Sequence, residues 1–147
     1  MTLRFLGAVD AGTDAVARNG WAETVREHDP FDLKLRPLGC FPERGRPRFL
    51  WAGVDAAPAL MALAESLERA ARGHGFEPET RAFRPHLTLA RARRSGRAKM
   101  PESLGLALTA PPFTVSEVIL FQTVLHPGGA RYTALERYPL GAADLRE

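Results

Sequence analysis

The sequence predicts an α+β domain built mostly of antiparallel sheet, and three observations carry that prediction. Segments that alternate apolar and polar residues outnumber helical ones. Several of them come in pairs joined by short turn clusters, as hairpins do. The two helical segments stand apart in the order β-α-β-β-α-β-β-β, which is not the regular strand–helix alternation of a parallel sheet. With 147 residues the chain is expected to form one domain over 1–147.

Thr2-Leu3-Arg4-Phe5-Leu6-Gly7 alternates like a half-buried strand. From Ala11 to His28, the spacing of Ala15, Val16, Ala22 and Val25 fits a helix, although Asn19-Gly20 weakens it and Asp29-Pro30 ends it. Phe31-Asp32-Leu33-Lys34-Leu35 alternates strictly and runs towards Cys40-Phe41 as a strand. The turn Pro42 to Pro47 returns the chain into Arg48 to Val54, so the two strands read as a hairpin.

Ala57 to Gly73 is the clearest helix, with Leu60, Leu63, Ala64 and Leu67 in one stripe, Pro58 in the first turn and Gly73 and Gly75 at the stop. Phe83 to Arg91 reads as a strand with Pro85 near its start. Arg93 to Pro101 reads as a basic loop, and Ser103 to Leu108 carries no clear signal. Two closing strands, Phe113 to Val124 and Ala130 to Tyr138, are joined by the turn His126-Pro127-Gly128-Gly129. Met1-Thr2-Leu3-Arg4 also lines up with Leu87-Thr88-Leu89-Ala90, a short match that suggests a duplicated lobe.

Hydrophobic residues at 45% and charged residues at 25% give the balance of an ordinary soluble domain. The longest apolar helical stretch, Ala56 to Leu67, is interrupted by Glu65 and is too short for a membrane span. A secretory signal pattern is absent, and the expected location is the cytoplasm. The lone Cys40 excludes an internal disulfide framework and a cysteine zinc site. A net charge of +3 suits a partner that carries phosphate. The basic residues are almost all arginine, with only Lys34 and Lys99 as lysines, a bias that a GC-rich genome also produces. Their placement says more, because Arg81, Arg84, Arg91, Arg93, Arg94 and Arg97 crowd around one histidine.

That histidine is His86. In a regular strand His86 and Thr88 point to one face while Leu87 and Leu89 point to the core. Arg84 shares the face of His86, whereas Arg91 falls on the other unless a strand end or a bulge turns it. An imidazole can take up a proton near neutral pH. A hydroxyl and a guanidinium beside it can hold a phosphoryl oxygen. Taken alone, the His-x-Thr spacing fits a histidine packed on a sheet face better than a catalytic one.

The wider pattern resembles the two-histidine phosphoesterases, and within them the LigT-like RNA 2′,3′-cyclic phosphodiesterases, also called 2′-5′ RNA ligases. The resemblance spans Thr2 to Gly7, Leu38-Gly39-Cys40-Phe41-Pro42, Pro47-Arg48-Phe49-Leu50-Trp51, Phe83 to Arg91 and Gly129-Ala130-Arg131-Tyr132, in the family's order and spacing. It implies a two-lobed fold of mostly antiparallel sheets, flanked by helices around a central cleft, with the first lobe incomplete. It implies metal-free opening of RNA 2′,3′-cyclic phosphate ends to 2′-phosphates. His86 would be the proton acceptor, Thr88 and Thr2 would hydrogen-bond the phosphoryl oxygens, and Arg91 would stabilise charge on the phosphate. The family's other histidine falls two residues before Thr2, one position ahead of Met1, and the opening strand-helix-strand unit precedes it, so the sequence reads as N-terminally truncated.

The implied partners are RNA ends or small cyclic nucleotides, with no membrane, no stable protein partner, a monomeric state and no cofactor. Two alternatives accompany this reading: 2′-5′ RNA ligation by the same groups, and a non-catalytic fold, either a decayed remnant or a binder of RNA ends. The remaining candidates have plainer readings. His28 sits at a helix end, where a cation is favoured. His74 follows a helix and suits capping, and His126 lies in a turn at the rim of the implied cleft. Trp51 reads as core more readily than as a stacking platform, and Cys40 as a small buried residue.

Overall fold

The computed structural model describes residues 1–9, 11–92, 102 and 104–141, and the side chains of residues 11–16 are not among them. Two helices and seven strands follow one another as α1 (Ala11–Arg26), β1 (Phe31–Leu33), β2 (Leu35–Phe41), β3 (Phe49–Val54), α2 (Pro58–Gly73), β4 (His86–Arg91), β5 (Phe113–Val115), β6 (Glu117–His126) and β7 (Gly129–Pro139). Every strand pairing among the described residues is antiparallel: β1 with β5, β2-β3-β4 as a three-stranded sheet, and β6 with β7. This is the predicted α+β class.

Helix α1 runs through Asn19-Gly20 without a break. The reason is packing. A Cβ on Gly20 would collide with Nε2 of His74, so the glycine lets the end of α2 approach α1. Ala17, Trp21 and Val25, spaced by four, are buried against Leu63, Leu67 and Ala71 of α2 and Tyr138 of β7, with Leu140 just beyond it. The predicted contributions of Ala15 and Val16 lie outside the described side chains. In α2, Pro58 occupies the first turn, and Leu60, Leu63, Ala64, Leu67 and Ala71 form the buried stripe. Each fully buried leucine stabilises the fold by roughly 2 kcal/mol. A second apolar cluster, Leu33, Val54 and Leu60, lies where β1, β3 and α2 meet.

Three strand expectations are corrected. Residues Thr2 to Gly7 are not a strand, since no described strand pairs with them. Side chains hold the segment instead. Leu3 packs against both apolar clusters, and Leu6 against the first. Arg4 ion-pairs with Glu68 of α2 at 2.7 Å and donates to the carbonyl of Glu77.

The strand expected from Phe31 to Phe41 is two strands that part at Lys34, whose carbonyl accepts from Asp55 N–H at 3.0 Å. Likewise Phe113 to Val124 divides at Ser116, whose carbonyl accepts from Leu140 N–H at 2.8 Å. In both cases the chain leaves the β1–β5 pair for another sheet. The β2–β3 hairpin forms as expected, with a register shift between Arg36 and Leu38 at Pro37, which has no N–H to give the ladder. The β6–β7 hairpin turns through Pro127-Gly128, as predicted.

The predicted basic loop, Arg93 to Pro101, lies outside the described residues. Among the described residues, no helix is long and apolar enough to cross a membrane.

Candidate active site

His86 opens β4, later than the predicted start at Phe83, because Pro85 cannot donate to a ladder. Strand β4 lies beside β3, in the pairs His86 with Gly53, Thr88 with Trp51, Ala90 with Leu50 and Arg91 with Phe49. Between Thr88 and Ala90 the register shifts, so Leu89 is an extra residue on β4. This bulge decides the site. Phe49 and Trp51 are two residues apart and share a face of β3, so their partners Arg91 and Thr88 share it too. The bulge therefore brings Arg91 onto the face of His86 and Thr88, where regular alternation would have turned it away. The Arg91 guanidinium stands over the Phe49 ring, 4.8 Å from its centre. Leu89, displaced by the same shift, is 55% exposed, while Leu87 packs against the second cluster.

Strand β2 completes the face, since Gly39 pairs with Trp51 and Phe41 with Phe49. The His86 imidazole meets Phe41 edge-on at 5.5 Å between ring centres and Trp51 at 6.2 Å. Phe41 and Trp51 are 5.2 Å apart. The indole lies over Gly39, where a Cβ would collide with the ring. Glycine in mid-strand here marks a close approach of side chain to backbone.

Nδ1 of His86 is 2.6 Å from the carbonyl oxygen of Arg84. A carbonyl can only accept, so Nδ1 carries the proton in this contact, and in the neutral ring Nε2 keeps its lone pair. The Arg84 side chain turns back over Phe41, 5.3 Å from the ring centre, and pairs with Glu43 at 3.0 Å. The face thus offers a proton-accepting nitrogen, a hydroxyl and guanidinium groups within an aromatic surround. Such a set can bind an anionic oxygen and take a proton from a nucleophile.

Thr2 is exposed at the start of the segment anchored by Leu3 and Arg4. His74 caps α2 and meets Trp21 edge-on at 5.7 Å, which is a packing role. The backbone of His28 closes the end of α1 and accepts from Gly141. His126 is exposed at the β6–β7 turn, opposite Gly129. Cys40 is buried, as expected. Trp51 belongs to neither apolar cluster, contrary to its expected core role, because Gly39 seats it on the His86 face. Arg93, Arg94 and Arg97 lie outside the described residues. Sequence reading did not single out Phe41, Phe49 or the Glu43–Arg84 pair. The available signal was the spacing Phe49-x-Trp51 opposite a mid-strand glycine. Among the described residues, no three His, Cys, Asp or Glu side chains converge as a metal site would need.

Comparison with known proteins places these residues in a family. The model of the 2′-5′ RNA ligase superfamily matches residues 1–126. An RNA 2′,3′-cyclic phosphodiesterase of Geobacillus stearothermophilus is 35% identical over 99% of this chain, which spans 47% of that relative's length. One from Methanothermobacter thermautotrophicus is 34% identical over 95% of this chain and is itself covered to 77%. Among solved structures, TT0787 of Thermus thermophilus superimposes with a TM-score of 0.80 at 28% identity, over 94% of this chain and 75% of that one. LigT of E. coli, complexed with 3′-AMP, gives 0.71 at 29% identity, over 95% and 75%. With the family model covering residues 1–126 and the relatives aligning over nearly all of this chain, the chain belongs to the 2′-5′ RNA ligase superfamily of two-histidine phosphoesterases.

Proposed function

We propose that this chain carries the water-activating residues of an RNA 2′,3′-cyclic phosphodiesterase, which opens a terminal cyclic phosphate to a 2′-phosphate. The observation that carries the proposal is the Nδ1 contact of His86 with the Arg84 carbonyl, which leaves Nε2 as the acceptor on the face of Thr88 and Arg91. In the reaction, Nε2 takes a proton from water as its oxygen attacks phosphorus, and the bond from phosphorus to the 3′-oxygen breaks. The Thr88 hydroxyl donates to a non-bridging oxygen, and Arg91 offsets the charge that builds on the phosphoryl group. Thr2 is the corresponding hydroxyl of the other motif. The departing 3′-oxygen takes its proton from the family's other histidine, whose place is two residues before Thr2. Run in reverse, the same groups would join RNA ends through a 2′-5′ linkage, because each acid in one direction is a base in the other.

The site groups are an imidazole, a hydroxyl and a guanidinium, none of which is the oxygen-rich donor set that magnesium or calcium requires. Cyclic-phosphate hydrolysis by a chain that includes the other histidine is therefore expected to proceed unchanged in EDTA, with a 2′-phosphate product seen by phosphorus NMR. Turnover lost on chelation and restored by a divalent ion, or a 3′-phosphate product, would refute the mechanism.

A further inference from the structure

We propose that the groove beside His86 holds the nucleobase of the substrate and that Glu43 makes it select guanine. This deepens the phosphodiesterase reading and rests on it. The groove is open to solvent, has a volume of about 250 Å³ and is lined by Leu38, Gly39, Cys40, Glu43, Trp51 and Leu104. That volume falls below the roughly 300–1,000 Å³ of sites for drug-sized ligands and suits one planar ring system. Its walls are apolar apart from one carboxylate. An indole beside an apolar slot is a stacking platform for a base, the usual means of binding single-stranded RNA.

The groove and the reacting face share a wall. Trp51 lines the groove, and its ring centre is 6.2 Å from that of the His86 imidazole. A base in the groove and a phosphate at His86 can therefore belong to one nucleotide. Glu43 also spans both regions, since it lines the groove while Arg84, stacked on Phe41, holds its Oε1 at 3.0 Å. A carboxylate has about four acceptor positions, so this pairing leaves capacity for a ligand.

Acceptors alone favour guanine. Its N1–H and N2–H₂ stand side by side and match two carboxylate oxygens in a bidentate contact. Adenine and cytosine present an amino group next to an acceptor nitrogen, and uracil a single N–H between two carbonyls. Each of these sets a lone pair against the carboxylate, which is the repulsive element that specificity needs.

The test measures binding of guanosine and uridine 3′-monophosphates, and of inorganic phosphate, to the 147-residue chain and its Glu43→Gln variant. Folding is checked by thermal melting, and Glu43 is exposed at the rim, so the variant is expected to fold. The guanosine nucleotide should bind roughly tenfold tighter than the uridine one, the value of a charge-assisted hydrogen bond. Glu43→Gln should bring the ratio of the two nucleotide affinities close to one. Guanosine without phosphate should move the Trp51 indole resonance in NMR spectra. Equal affinity for the two nucleotides, or a preference that survives Glu43→Gln, would overturn the assignment. If the unmodified chain bound guanosine but not phosphate, the phosphodiesterase reading itself would fall, and the groove could no longer be a substrate's base site.

Discussion

At the scale of single residues, the site depends on which nitrogen of His86 holds the proton. The contact with the Arg84 carbonyl assigns it to Nδ1, and the edge-on rings of Phe41 and Trp51 limit how far the imidazole can rotate. A base held in one tautomer and one orientation does not have to be ordered during reaction. His86→Ala, in a chain that includes the other histidine, should lower kcat roughly 10²- to 10⁴-fold, the usual worth of one positioned base. His86 is half-buried and lies outside both apolar clusters, so the thermal midpoint should move little. An unfolded variant whose remaining folded molecules keep full activity would show that His86 serves packing rather than proton transfer.

Among the elements, the bulge in β4 has the largest consequence. It gives two residues three apart in sequence, Thr88 and Arg91, one common face. The double variant Ala90→Arg with Arg91→Ala separates the two geometries. In a regular strand, an arginine at 90 would share the face of His86 and Thr88 and would rescue the loss caused by Arg91→Ala. With the bulge it points away, so the double variant should be as impaired in kcat/KM as Arg91→Ala alone. Rescue by the arginine at 90 would remove the bulge from the account. The helix pair is a matter of packing alone. Leu63 is fully buried where α1 meets α2, so Leu63→Ala should destabilise the fold by about 2–5 kcal/mol in denaturant titration.

For the whole molecule, the two-histidine reaction needs an acid as well as a base. On the proposed mechanism His86 is the base, and the chain spans 75% of TT0787 and of LigT. On a cyclic-phosphate substrate, the 147-residue stretch should turn over about 10²- to 10⁴-fold more slowly than a longer chain with a histidine two positions before Thr2. The comparison is made at equal folded concentration, and equal rates would show that no second histidine is needed. Both edges of the β6–β7 hairpin are unpaired among the described residues, and Phe121, Leu125 and Tyr132 stand exposed on it. Open strand edges with apolar side chains favour self-association, so light scattering belongs in the same comparison.

Sequence by itself determined the α+β class, both helices, the two hairpins and the His86-Leu87-Thr88 strand. These follow from local periodicity and turn chemistry, which a chain carries wherever it is placed. It misplaced what depends on pairing. Thr2 to Gly7 alternates like a strand, yet a strand exists only with a hydrogen-bonded neighbour, and Arg4 pairs with Glu68 instead. Phe31 to Phe41 and Phe113 to Val124 each read as one strand, and only the exchange of partners at Lys34 and Ser116 divides them. The same limit applied at the site. Alternation put Arg91 on the wrong face, and only the register of β4 against β3 put it beside Thr88. Trp51 read as core because an indole is mostly apolar, and only the pairing with Gly39 seats it next to His86. Composition and period are properties of one segment, whereas register, bulge and partner belong to two segments at once, and that is why the tertiary structure alone decided them.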